Sequence, residues 1–394
     1  MTAVTGKQSP YDYYHSFVNE RVQNGRNESN SSHNYTSKAS NYAQDQDKAR
    51  AKELANLIIK GIEQNPLANP FPIETNEYAD LAEAETNDWV KRYKILKKEE
   101  KYNQLLLQKI MGLSRRTYPK CPFKQFVRIA ELILFLYIND DKVEKKDPIN
   151  LATYNIRNME VLRNLSQPTE GVDKPLTCAV YELMRNIEKF ANEHWKNRFL
   201  EAMDNHFQST IWEAQNRKDG ISIPNFKDYL PKREHTGAVY TVLPLIEIAE
   251  EIDIPNSIHE KYLKELSQMC NNIICWSNDV RSSLKEFKKN WLCNLVFVIK
   301  QEFDCSLEEA IKYSIDLHNN EVNRFESRFE ELKNILYAKL EKKAKLASDE
   351  SDPELKLLKQ QIEAIIKYVE GMRKWMGGHF KFAEESYRYD LSQD

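Results

Sequence analysis

Residues 123–138, FKQFVRIAELILFLYI, constrain the fold more than any other segment, because they are apolar on nearly every side of a helix. Such a helix is stable only where other elements cover it all round, so we expect it in the middle of a helical bundle. Long helical patterns lie on both sides of it, and the 10 glycines in 394 residues provide few of the turns that a chain of short strands needs. The sequence therefore predicts an all-α protein.

The first 50 residues differ in composition from the rest of the chain. Residues 1–50 are rich in Ser, Asn, Gln and Lys and have no sustained apolar periodicity. We interpret them as a flexible polar extension, in which Tyr11, Tyr13 and Tyr14 are candidates for docking, and we expect one helical domain over residues 51–394.

Composition also excludes several classes of function. The 57 basic and 60 acidic residues give a net charge of only −3, so no global field attracts nucleic acid and none is expected as a partner. The six cysteines include no CxxC pair and no zinc-site spacing, which favours a reduced, cytoplasmic protein. The N-terminus lacks the pattern of a signal peptide, and no run of 18 apolar residues predicts a membrane span.

An acidic group follows the buried helix. Asp140 and Glu144 are four residues apart and share a helix face, and Asp141 lies beside them. Three carboxylates at this point could hold a hard cation through their oxygens. Taken alone, such a group is more often a solvated helix end.

A row of polar side chains lies within a second apolar helix pattern, ICWSNDVRSSLKEF. Asn278, Ser282 and Glu286 are four residues apart, and each step drifts by only about 40° around a helix. An amide, a hydroxyl and a carboxylate are oxygen ligands that suit Mg²⁺, and the neighbouring Lys285 could reach an anion. The alternative is an ordinary polar helix face.

Two further features are weak on their own. In YLPKREHTGAV, Arg233 precedes Gly237 by one helical turn, and a glycine inside a helix costs about 1 kcal/mol relative to alanine. A break there would free backbone carbonyls toward a cavity, although a simple kink or a close helix contact is the more common reason for such a glycine. The pair Arg388–Tyr389 near the C-terminus carries no signal by itself.

Together, the order and spacing of these four motifs resemble the class I terpene synthases of the microbial type. DDKVE, residues 140–144, matches the family's aspartate-rich motif, and NDVRSSLKE, residues 278–286, matches its second metal motif in full. Arg233 matches the diphosphate-sensing arginine, and Arg388–Tyr389 matches the closing Arg-Tyr pair. The resemblance covers residues 70–390 and departs from the pattern at Phe382, where the family usually has Trp.

The resemblance implies a single class I terpenoid synthase α-domain, an antiparallel helical bundle around a central apolar cavity. It implies three Mg²⁺ ions, and the implied metal ligands are Asp140, Asp141, Glu144, Asn278, Ser282 and Glu286. The implied diphosphate contacts are Arg233, Lys285, Arg388 and Tyr389. Thr236 and Gly237 fall at the family's linker and effector positions, which act with Arg233 in catalysis. Asp279 lies about 100° off the ligand row and is not expected to be a ligand.

Aromatic side chains are the expected walls of the cavity, because the face of an aromatic ring stabilises a carbocation by about 2 kcal/mol where water is excluded. Tyr137 and Phe382 match cavity positions of the family. Phe135 and Trp276 are further candidates, although an aromatic residue on a buried helix more often belongs to the core.

The activity that the resemblance implies is Mg²⁺-dependent ionisation of a prenyl diphosphate and cyclisation of the resulting cation. The long extension and the Lys/Asn-rich composition are similar to octocoral terpene cyclases, which favours geranylgeranyl diphosphate, with farnesyl diphosphate next. The alternatives are a prenyl transferase or coupling synthase of the same fold and a non-catalytic helical interaction protein. A homodimer is a possible assembly, since many relatives are dimers.

Overall fold

All regular elements in the described part of the computed structural model are helical, which confirms the predicted fold class. The structure describes residues 15–17, 19–20, 23, 43–95, 110–143, 147–220, 223–289, 291–347, 349 and 351–386, with backbone alone for 43–51, 110 and 141–143. Its helices are α1 Ala43–Gln64, α2 Ala79–Arg92, α3 Ile110–Thr117, α4 Phe123–Val143, α5 Pro148–Leu162, α6 Pro175–Ile187, α7 Glu193–Lys218, α8 Phe226–Thr236, α9 Val239–Val242, α10 Leu245–Ala249, α11 Asn256–Ile258, a π-helical turn His259–Leu263, α12 Lys264–Lys288, α13 Leu295–Glu302, α14 Leu307–Ala344 and α15 Pro353–Glu385. None of the described helices is long and apolar enough to cross a membrane.

Helix α4 lies in the middle of the bundle, as its all-round apolar sequence predicted. Its residues Ile129, Leu132 and Phe135 are fully buried. Helices α2, α3, α6 and α10 pack around it. Asp140, the first residue of the predicted metal motif, directly follows this buried stretch.

Helix α12 is the second central helix. It is buried along most of its length and packs against α1, α14 and α15. Helices α7, α8 and α9 pack together, and α8 and α9 also contact α12. The side of α12 that carries the polar row therefore lies close to the α8–α9 connection.

Helix α15 approaches the rest of the chain unusually closely at two glycines. A Cβ on Gly377 would lie 2.2 Å from the carbonyl oxygen of Pro72, and one on Gly378 would lie 2.5 Å from that of Arg116. No larger residue fits at either position without a backbone shift. These contacts fix the rotation of α15 about its axis and so decide which of its side chains face inward.

Part of the expected N-terminal extension lies against the helical domain. The ring of His15 lies 5.0 Å from that of Phe303 and 6.2 Å from that of Phe226, and Phe17 packs against the core. Helix α1 begins at Ala43, a few residues before the predicted boundary at residue 51. Tyr11, Tyr13 and Tyr14, the predicted docking residues, lie outside the described residues.

Candidate active site

A cavity of about 350 Å³ lies between α4, α7, α8, α9, α12 and α15. On α4 the lining changes from Ile133 to Asp140, and on α12 from Ile274 to Glu286. In both helices it thus changes from apolar to polar toward the C-terminus. The cavity therefore has an apolar interior and a polar mouth, where residues of both predicted metal motifs meet.

The polar row on α12 is assembled as the sequence predicted. Asn278, Ser282 and Glu286 all line the cavity, and the Ser282 hydroxyl donates to Glu286 Oε1 at 2.7 Å. Asn294 Nδ2 donates to Glu286 Oε2 at 2.9 Å and thereby orients the carboxylate. Lys285 lines the same cavity, next to the row.

The chemistry of this row fits Mg²⁺. Its three donor groups carry oxygen, the atom that hard divalent cations prefer. Burial raises the pKa of Glu286 to about 7, and the nearby Asp279 adds repulsion. A divalent cation would compensate the charge that burial disfavours here.

The α4 side of the mouth is described in part. Asp140 lines the cavity at the end of α4, opposite the polar row. Asp141 belongs to α4, but its side chain is outside the described set. Glu144, Arg388 and Tyr389 lie outside the described residues, and their roles remain predictions.

Arg233 is the cation that connects α8 to α12. It forms an ion pair with Asp279 at 2.8 Å and donates to Asn278 Oδ1 at 3.2 Å and Thr236 Oγ1 at 3.3 Å. Burial disfavours its charge, but Asp279, Cys275 and Tyr229 together outweigh burial and raise the pKa of Arg233 well above its usual value. A permanent positive charge therefore faces the cavity and is bonded directly to a predicted metal ligand.

Asp279 serves as an anchor between helices. It accepts hydrogen bonds from the Tyr229 hydroxyl, from Arg233 Nε at 3.0 Å and from the backbone N–H of Leu295 at 3.2 Å. Both of its oxygens are thus engaged by α8 and α13. These bonds support an anchoring role for Asp279, and its absence from the metal ligands stays a prediction.

The chain breaks between α8 and α9, beside Gly237, which is one of the alternatives that the sequence left open. Gly237 itself has φ −70°, which any residue can adopt, and the left-handed residue is Ala238 with φ 56°. Glycine is needed at 237 for space, since a Cβ there would lie 2.5 Å from Cys275 Sγ and 2.8 Å from Arg233 Nη1. Thr236 and Gly237 both line the cavity beside Arg233.

The predicted aromatic walls are only partly correct. Tyr137 lines the cavity, and its ring lies 6.5 Å from that of Phe382, which packs behind it. Phe135 and Trp276, the other two candidates, are fully buried and are not among the residues that line the cavity. Phe135 is two positions before the lining residue Tyr137, and Trp276 is two positions before the lining residue Asn278. Two positions correspond to about 200° around a helix, so Phe135 and Trp276 face away from the cavity.

Sequence reasoning missed five lining residues on two helices. They are His206, Glu213 and Arg217 on α7, and Trp375 and His379 on α15. The α7 residues are seven and four positions apart and share one face, a spacing that is visible in the sequence. In a helix this rich in charge, the spacing alone does not distinguish a cavity face from a solvated one.

The α7 residues extend the polar mouth. Burial, together with Asp140 and Glu286, raises the pKa of Glu213 to about 7. The Arg217 guanidinium lies 5.0 Å from the ring centroid of Trp291, and its buried Nη2 has no hydrogen bond to any described residue. A third helix thus contributes one carboxylate and one cation to the cavity.

Comparison with known proteins agrees with this geometry. The model of terpene synthase family 2, C-terminal metal binding, matches residues 131–324, a range that contains both predicted metal motifs. Germacrene A synthase of Nostoc punctiforme is 30% identical over 325 residues, 81% of this chain and 93% of that protein. The (+)-T-muurolol synthase of Roseiflexus castenholzii is 33% identical over 264 residues, which are 66% of this chain and 80% of that protein. Its name specifies cyclisation of (2E,6E)-farnesyl diphosphate.

Solved structures share the fold. The crystal structure of a-eudesmol synthase has a TM-score of 0.68 at 16% identity and covers 80% of this chain and 98% of its own. Germacradien-4-ol synthase from Streptomyces citricolor has a TM-score of 0.65 at 22% identity, and the match covers 81% of this chain and 98% of that protein. At these identities the structures support the fold, and the sequence relatives support the family. The chain belongs to the class I terpene synthase family.

Proposed function

We propose that the protein ionises farnesyl diphosphate with the help of Mg²⁺ and cyclises the resulting cation to a sesquiterpene. The observation that carries this proposal is the cavity with an oxygen-rich, cation-lined mouth and an apolar interior. Its volume of about 350 Å³ is at the lower end of the range of about 300–1,000 Å³ for ligand pockets. A small cavity supports a C15 substrate over a C20 substrate.

The relatives support the same substrate. The names of the (+)-T-muurolol synthase of Roseiflexus castenholzii and the 4-epi-cubebol synthase of Streptosporangium roseum both specify (2E,6E)-farnesyl diphosphate. They give no support to the preference for geranylgeranyl diphosphate that the N-terminal extension suggested. Farnesyl diphosphate is therefore our first choice and geranylgeranyl diphosphate the alternative.

The ligands of Mg²⁺ would come from both sides of the mouth. Asn278, Ser282 and Glu286 would hold one ion, and Asp140, with Asp141 and Glu144, the others. Bound Mg²⁺ neutralises the diphosphate and makes it a better leaving group. Arg233 and Lys285 donate to the diphosphate oxygens, together with Arg388 and Tyr389 as predicted from the sequence.

The neighbouring residues keep the diphosphate contacts in place. Asp279 holds the Arg233 guanidinium, and the hydrogen bond from Arg233 to Asn278 Oδ1 couples the cation to the ligand row. A metal ion held by Asn278 would compete with Arg233 for this oxygen and would leave that Arg233 donor for the substrate. Preorganised cations of this kind stabilise the charge that develops on the leaving group.

The apolar interior then has to guide the carbocation. Hydrocarbon walls such as Ile133 and Ile274 exclude water, which would otherwise capture the cation early. The rings of Tyr137 and Trp375 present faces that stabilise positive charge. The shape of these walls decides which double bond of the chain meets the cation.

The test is incubation of the purified protein with one prenyl diphosphate at a time and Mg²⁺. We expect farnesyl diphosphate to release inorganic diphosphate and a cyclic C15 product, identified by gas chromatography and mass spectrometry. Longer prenyl diphosphates formed only after addition of isopentenyl diphosphate would identify a prenyl transferase instead. Absence of turnover with C10, C15 and C20 substrates would favour the non-catalytic alternative.

A further inference from the structure

His379 is a cavity residue that none of the predicted roles uses. It lies on α15 one turn after Trp375, and the two rings are nearly parallel, with a 16° interplanar angle and 6.2 Å between centroids. Only 6% of His379 is accessible, and because the residue lines the cavity, this surface faces the substrate space. Along α15 it lies between Trp375 and Phe382, whose ring packs on Tyr137.

The wall that carries His379 is held firmly. Gly377 and Gly378, the two residues before it, lie against backbone atoms at positions where no Cβ fits. Trp375 Nε1 donates to the Tyr118 hydroxyl at 2.9 Å, and this hydroxyl donates to the Val242 carbonyl at 2.7 Å. Neither the helix nor the neighbouring indole can turn easily, so the imidazole is presented to the cavity in a defined position.

His379 differs from the other deeply buried histidines in its bonding. His206 Nδ1 is 3.0 Å from the His235 carbonyl oxygen, and His318 Nδ1 is 2.9 Å from Asn319 Oδ1. The ring of His379 forms no hydrogen bond with any described residue. Burial, with Arg281 and Arg233 nearby, lowers its pKa to about 3, so the ring is neutral and at least one nitrogen carries a lone pair.

A cyclisation cascade needs a group that ends it. The last carbocation must lose a proton or capture water. Most of the interior lining is hydrocarbon side chains and indole, which accept no proton, and the other imidazole in the lining, His206, has its Nδ1 engaged by the His235 carbonyl oxygen. A carbocation is a far stronger acid than any imidazolium, so a weakly basic neutral imidazole is a sufficient acceptor. A base with an ordinary pKa would already be protonated in part and would repel the cation.

We propose that His379 is the base that ends the cascade by removing a proton from the final carbocation. The C–H bond beside the cationic carbon breaks, and its electron pair forms a C=C bond. The proton moves to an imidazole nitrogen, and the imidazolium returns it to the released diphosphate or to solvent as the products leave. This inference rests on the proposed cyclase function and predicts that the main product is an olefin.

The experiment compares the products of wild type, His379→Phe and His379→Gln with farnesyl diphosphate and Mg²⁺. Products are counted per diphosphate released, so that a change in overall rate does not affect the comparison. His318→Gln is the matched control, because His318 is equally buried but does not line the cavity. Circular dichroism and thermal melting establish that each variant is folded.

We expect the share of the main olefin to fall at least tenfold in both His379 variants, in line with the ~10²–10⁴-fold contribution of a positioned base. Alcohols or olefins with a differently placed double bond replace it, and His318→Gln keeps the wild-type products. Unchanged products in folded His379→Phe and His379→Gln overturn the proposal, as does a wild-type product that is solely an alcohol.

A third variant is used if His379→Phe and His379→Gln do not fold. His379→Ala removes volume and is assayed with and without added imidazole. Return of the wild-type olefin with imidazole supports the proposal, and a product mixture that does not respond contradicts it. Wild type that releases no diphosphate from any prenyl diphosphate refutes the proposed function itself, which is a distinguishable result.

Discussion

Replacing Gly237 with alanine tests how the α8–α9 break positions the diphosphate-binding cation. The new methyl group would lie 2.5 Å from Cys275 Sγ and 2.8 Å from Arg233 Nη1, both too close for an ordinary contact. The backbone has φ −70° at this position, so alanine alone would stabilise the chain by about 0.4–1 kcal/mol. Relieving the clashes costs about 1–3 kcal/mol, so we expect a net loss of about 1–2 kcal/mol.

The larger effect should be on activity. The guanidinium must move away from the methyl group, which breaks its alignment with Asp279 and Asn278, and a misplacement of about 1 Å can reduce turnover about 100-fold. We expect kcat/KM for diphosphate release to fall about 100-fold, with a Tm lower by a few degrees. Gly237→Ala combined with Cys275→Ala is the matched variant and should recover part of the stability. Wild-type kcat/KM with a raised Tm in Gly237→Ala would refute the reasoning.

Other predictions concern the groups around the site. Asn294→Ala removes the donor that orients Glu286, so titration of activity with Mg²⁺ should show an affinity about 10-fold weaker or more, and an unchanged Mg²⁺ midpoint would contradict this role. Asp279→Asn leaves Arg233 without its buried partner, so denaturant unfolding should show a loss of about 3–5 kcal/mol, whereas a loss under 1 kcal/mol would show that the ion pair is unimportant. Gly378→Ala pushes α15 away from Arg116, so we expect altered product ratios and a lower Tm; unchanged products and Tm would mean that the close approach is not needed. Chelation with EDTA should abolish diphosphate release and excess Mg²⁺ should restore it, and activity that persists in EDTA would exclude the proposed use of the oxygen ligands.

The central helix and the polar row could be predicted from the sequence because their signals are local. An apolar surface on every side of residues 123–138 requires burial, and a four-residue spacing aligns Asn278, Ser282 and Glu286 whatever surrounds the helix. The structure describes both as expected. Arg233 was found through its spacing in a known motif, and its ion pair with Asp279 follows from α8 packing on α12.

The cavity walls could not be predicted, because they depend on the rotation of each helix. Phe135 and Trp276 are aromatic and lie within the motif helices, yet both turn toward the core. Trp375 and His379 face inward because Gly377 and Gly378 allow α15 to approach the backbone of other segments. A single sequence contains no information on which segment meets a glycine, so this face of α15 was missed.

The preference for farnesyl over geranylgeranyl diphosphate can be measured directly. Diphosphate release from farnesyl and geranylgeranyl diphosphate should be followed side by side, at saturating Mg²⁺, with the same enzyme preparation. We predict a higher kcat/KM for farnesyl diphosphate and a cyclic C15 product, because the cavity of about 350 Å³ suits the shorter chain. A higher kcat/KM for geranylgeranyl diphosphate, with a cyclic C20 product, would contradict it.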